Sequence, residues 1–181
     1  MADKYEIKRK QERFDQAVNS SSLSALAEIA VEDMEQLIKK RNYTPDCDTW
    51  VDFDSPKKCK ACLAGAVMLF TNGVKSNEDF YMPTSWQEAL ESLRKGNVFP
   101  AYTTLFLLTH PLPFTDEYIK YEIIRKATRE VFGFNYGVRF KHSKFTNNKQ
   151  ARLFVDELRG VIPKLRKVDE RIAAGMAVHC K

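Results

Sequence analysis

Apolar residues recur along this chain at spacings of three and four, the period of a helix with one buried face, and nowhere in sustained alternation. The pattern predicts helices throughout. Residues from about Asp3 to Val18 read as a charged surface helix whose few apolar contacts are Tyr5, Ile7, Phe14 and Val18. The run "NSSSLSAL" then interrupts it, because Ser and Asn compete with helical backbone bonds and supply N-caps. A second, amphipathic helix follows, with Leu26, Ile29, Ala30, Met34, Leu37 and Ile38 on one face and Lys39, Lys40 and Arg41 closing it.

"NYTPDCDTWVDFDSP" reads as a loop in which Asp46, Asp48, Asp52 and Asp54 are interleaved with Trp50, Val51 and Phe53. Ser55 and Pro56 form an Ncap and N1 pair, which starts a third helix at "SPKKCKACLAGAVM". Its stretch Ala61 to Phe70 is apolar on every side, as a helix inside a bundle is. Gly65 costs helix propensity of about 1 kcal/mol against Ala, and close packing of a neighbour is the compensation expected.

Ser85 and Glu88 match a capping box for a helix ended by Gly96, and "FPAYTTLFLLTHPLPF" is a second short buried segment. Thr115 and Asp116 open a longer helix through Phe132, followed by the loop "GFNYGVRFKHSKFTNN" with at most a short hairpin around Phe134 to Phe145. Asn148 to about Ala174 reads as one helix kinked, or two split, near Gly160 and Pro163. The fold expected is all-α: one compact domain over residues 1–181, of six to eight helices around a buried small-residue helix near 56–71, with 175–181 as a mobile tail.

Composition changes this picture little, since 44% hydrophobic and 29% charged residues are ordinary for a globular chain. The charged first residues lack the apolar core of a secretory signal, and the longest apolar run is about half of the ~20 residues that cross a bilayer. A cytosolic protein without a membrane partner is expected. Charge is more informative. Between Tyr136 and Arg171 stand ten Lys or Arg against four Asp or Glu, a surplus of six where the whole chain has five. From Arg139 to Val155 the cations Arg139, Lys141, Lys144, Lys149 and Arg152 occur without an acid, among Tyr136, Phe140 and Phe145. Such a segment suits phosphates with stacked bases, or is a solvated loop whose phenylalanines anchor it to the core.

No Walker loop, zincin motif, nucleophile elbow or dinucleotide fingerprint is present, and the expectation is a protein without catalytic residues. Cys59 and Cys62, three apart at a helix start, would share one face, and a helix N-terminus lowers a thiol pKa. With Cys47 they are candidate zinc ligands, the fourth coming from His110, His142, His179 or Cys180, although no spacing rule selects it. The bland alternative is that they are small apolar fillers, with no cofactor. The acidic run lacks the Gly and closing Glu of an EF-hand.

"CKACLAGAVM" resembles a C-x-x-C-L-A-G-A-V-M stretch of small proteins of tailed bacteriophages, where it also follows an aromatic and acidic segment similar to "DTWVDFDSP". The resemblance spans Cys47 to Thr71 and carries no catalytic residue. It implies a phage accessory protein that acts on host defence or takeover by binding.

Three functions follow as expectations. The first is a sponge for a small anionic ligand such as a nucleotide signal, clamped by Arg139, Lys141, His142 and Lys144 and stacked on Trp50, Trp86 or Tyr136. The second is an inhibitor of a host protein, anchored by Trp50 and Phe53. The third is a nucleic-acid binder using the basic region 139–152. A homodimer is compatible with the small-residue helix, as is a monomer.

Overall fold

The structure, a computed structural model, describes residues 4–20, 22–53, 58–76 and 140–179. Outside them lie the expected capping box at Ser85, the buried segment ending at Pro113, the helix from Thr115 to Phe132, and Trp86, His110, Tyr136, Arg139 and Cys180. The described elements run α1 (Lys4–Asn19), α2 (Leu23–Lys39), β1 (Tyr43–Pro45), β2 (Val51–Asp52), β3 (Cys59–Ala61), α3 (Leu63–Phe70) and α4 (Asn148–His179).

This corrects the all-α expectation of six to eight helices. The described residues hold four helices and a three-stranded mixed sheet of order β1-β3-β2, with β1 parallel and β2 antiparallel to β3. The sheet arises inside the stretch read as a loop and helix start. Its pairing is non-local, Tyr43 with Cys59 and Val51 with Ala61, and strands of two or three residues are too short to display an alternating pattern. The third helix therefore begins at Leu63 rather than at Ser55, and Cys59 belongs to a strand while Cys62 is the helix N-cap.

The amphipathic reading of α2 holds, and α2 is the element the other helices share: it packs against α1, α3 and α4. Ser22 caps it, accepting from the Ala25 amide at 3.2 Å. Asp169, far away on α4, completes the cap. Its carboxylate accepts from the Leu23 amide (2.7 Å), the Ser24 amide (3.1 Å) and the hydroxyls of Ser22 (2.8 Å) and Ser24 (2.5 Å). At the opposite end of α2, Asn148 donates to the Ile38 carbonyl at 3.2 Å. The two helices are thus antiparallel and each end of α2 is closed by a residue of α4. Arg166 pairs with Glu28 and Arg159 with Glu35 along the same seam.

α4 is one continuous helix of 32 residues, about 48 Å at 1.5 Å per residue. Of the two expectations, one kinked helix or two split ones, the split is overturned, and residues 175–179, expected in a tail, are helical. Its buried stripe is Ala151, Phe154, Val155, Leu158, Ile162, Leu165, Val168 and Ile172, whereas Gly160 and Pro163 lie on the exposed side. There water can take the carbonyl that a proline leaves without its partner.

α3 is buried from Leu63 to Leu69, as its composition predicted, and full burial of each large apolar side chain stabilises by about 1.5–3 kcal/mol. Gly65 permits this packing. A Cβ there would lie 1.6 Å from the Trp50 carbonyl oxygen, so the helix rests directly on the backbone of the β2 region. The Cys62 amide donates to the Thr49 carbonyl at 2.6 Å and the Asp46 amide to that of Ala61 at 3.0 Å.

α1 joins α2 through a buried ion pair that periodicity does not reveal. Asp33, fully buried, accepts from Lys10 at 2.7 Å and from the Thr71 hydroxyl at the end of α3 at 2.5 Å. Burial pushes its carboxyl pKa upward against the opposing pull of those two donors. Arg13 adds a bidentate pair with Glu32, 3.0 Å on each arm.

Candidate functional site

The basic segment enters the described structure at Phe140. Phe140 and Phe145 are buried, their ring centroids 5.4 and 5.2 Å from that of Phe154 on α4, edge-on and stacked respectively. They are anchors rather than surfaces for a stacked base, which settles the choice left open for these two aromatics. The Cys47 amide also donates to the Phe145 carbonyl at 2.9 Å, tying the segment to the sheet region.

Between the two anchors the chain turns at Lys141 and His142. Lys141 and Lys144 are exposed and His142 is half-buried. The backbone amides of Lys141 and His142 both donate to Glu157, at 2.7 and 3.0 Å, and His142 Nδ1 lies 3.3 Å from the same carboxylate. Partial burial opposes the charge on Glu157, but the two amides and the ring outweigh it and hold the carboxyl pKa below its ordinary value. Asn147 then caps α4 by accepting from the Gln150 amide at 3.0 Å, while the Gln150 side chain accepts from the Thr146 amide.

Antiparallel packing brings a second basic run to this end of the molecule. Because Asn148 touches the Ile38 carbonyl, the exposed Lys39, Lys40 and Arg41 leave α2 where the exposed Lys149 and Arg152 enter α4. Lys40 rests 4.9 Å from the Phe70 ring centroid. Neither Lys39, Arg41, Lys144, Lys149 nor Arg152 takes part in an ion pair among the described residues. The nearby Asp46 is held by Lys60 at 3.5 Å. Single-helix reading assigned Lys39 to Arg41 only to the closing of α2 and overlooked Glu157, since neither relation exists until α2 and α4 are paired.

The other candidates are placed as follows. Trp50 and Phe53 are partly buried and pack against the core. Cys47 and Cys62 are buried and Cys59 is half-buried. Burial pushes all three thiols up, Cys59 to about 11 with help from Asp52, and Cys62 to about 12 despite the amides of Gly65 and Ala64. The lowering expected from a helix N-terminus is overcome by loss of water. Among the described residues, the group of three metal-capable side chains within 4.8 Å of one another is Asp46, Cys47 and Asp48, which leaves out Cys59 and Cys62. The Asp48 amide donates to Asp46 at 3.2 Å, so that this group is a local turn. No described helix is long and apolar enough to cross a membrane.

No protein-family model, curated protein or solved structure matches this chain at a significant level.

Proposed function

We propose that the chain is a non-enzymatic binding protein whose basic end engages the phosphates of a nucleic acid. The observation that carries this reading is the contact of Asn148 with the end of α2, which merges the cations of 39–41 with those of 141–152 into one exposed surface. Exposed cations without ion-pair partners are the groups that release counterions from a phosphate backbone. A pocket for a single nucleotide is less favoured, because Trp50, the described candidate for stacking its base, is partly buried and packs against the core. The phage resemblance of residues 47–71 supplies the setting: an accessory protein working in the host cytosol.

Fluorescence anisotropy with labelled single- and double-stranded oligonucleotides tests the reading. Affinity should fall linearly on a log-log plot against salt, by about 0.9 in slope for each duplex phosphate engaged. Charge reversal at Lys39 and Arg41, or separately at Lys149 and Arg152, should weaken binding and flatten that slope. Absence of binding at low salt, or binding indifferent to both pairs, would overturn it.

A further inference from the structure

The Lys141–His142 turn holds more than charge. Two consecutive backbone amides and an imidazole nitrogen converge on the two oxygens of one carboxylate, at 2.7, 3.0 and 3.3 Å. Successive amides aimed at one point form a concave anion site of the kind that holds phosphates. A phosphodiester offers the same pair of charge-sharing oxygens as the carboxylate. The turn does not depend on Glu157 alone for its shape, because Phe140 and Phe145 pin it to Phe154 on either side and Cys47 holds the Phe145 carbonyl. Glu157 itself is only partly buried, with 26% of its side chain exposed, at the end of three rotatable bonds. Lys141 and Lys144 stand exposed beside it.

We propose that this turn is an oxyanion cradle in which Glu157 is the resident stand-in, and that a phosphate group enters by displacing the Glu157 carboxylate onto solvent. The inference deepens the nucleic-acid reading and rests on it for the identity of the phosphate's owner. It gives the surface one fixed seat among exposed lysines. It also makes the chain's own glutamate a competitor that sets a threshold for binding.

The test compares Glu157→Ala with Asp156→Ala, which removes a neighbouring exposed charge paired with Arg159 but leaves the cradle filled. Amide NMR during titration with inorganic phosphate reads the seat directly. In Glu157→Ala the Lys141 and His142 amide resonances should shift and saturate at a phosphate concentration about tenfold below that needed by the wild type and Asp156→Ala, as expected when a charge-assisted competitor is removed. Glu157→Gln, which keeps an accepting oxygen and the turn while losing the charge, should fall between them, and guards against a turn that loosens in the Ala variant. Equal titration of all the proteins, or shifts confined to other residues, would overturn the cradle. A labelled oligonucleotide separates the two readings: if the wild type binds it and Glu157→Ala gains no more than Asp156→Ala, the cradle fails and the surface stands. If the wild type ignores the oligonucleotide, the surface fails and the phosphate titration alone decides the cradle.

Discussion

Along the seam between α2 and α4 the two helices meet through side chains that reach across: Asp169 to the first amides of α2, Asn148 to the Ile38 carbonyl near its end, and Arg159 and Arg166 to glutamates between them. Where the sheet meets α3, backbone meets backbone. Gly65 lies against the Trp50 carbonyl and the Cys62 amide is bonded to Thr49. A side chain that reaches has rotamers with which to adjust, whereas a peptide group pressed against a helix has none. The two regions should therefore answer substitution on different scales.

The largest effect belongs to the junction. Gly65→Ala puts a methyl group into the Trp50 peptide and should cost about 4 kcal/mol or more, the range reserved for strong overpacking. Urea denaturation that finds this variant within 1 kcal/mol of wild type, by the usual error of such measurements, would erase the distinction between the regions.

An intermediate effect is expected from the seam. Asp169→Ala removes four acceptor contacts at the start of α2 but leaves Ser22 on the Ala25 amide, so a loss of about 2 kcal/mol is expected. Hydrogen exchange sharpens this, because protection should fall first in the opening turn of α2 and not in α3.

The smallest effect has the opposite sign. Gly160 is exposed, and nothing lies within 4 Å of a Cβ built there, so Gly160→Ala should stabilise α4 by about 1 kcal/mol through helix propensity alone. A thermal melt with a raised midpoint would establish that Gly160, on the exposed side of α4 and away from the seam, is dispensable where Gly65 at the junction is not.

The same contrast explains what was legible in the sequence. The span of α1 and the buried face of α2 are legible along the chain, and the Ser cluster before α2 does supply its cap, because these features are local and repeat with the helical period, whereas Tyr5 and Ile7, expected as apolar contacts of α1, are exposed. Burial of α3 and the need for Gly65 were legible from composition. Its start was not: Ser55 and Pro56 carry the right capping chemistry, yet Cys59 to Ala61 pair with partners up to sixteen residues away in the chain, and that pairing is invisible to a local rule. For the candidate site, the basic run was visible, whereas its second half at Lys39 to Arg41 and the carboxylate at Glu157 belong to other turns of helix that only tertiary packing brings alongside. Asp33 likewise looked like one more acid in "VEDMEQ", because nothing along the chain marks which residue of an acidic cluster faces inward.

The buried thiols at the junction have a consequence for how its motions can be followed. Cys47 and Cys62 are about 1% exposed, and the Cys62 thiol sits near 12, far above neutrality. Neither can meet a disulfide reagent as a thiolate until the strands around it part, since attack requires both ionisation and access. Their modification rate therefore reports, in the wild-type chain, the fraction of time the sheet is lifted away from α3, scaled by the reactivity of an exposed thiol.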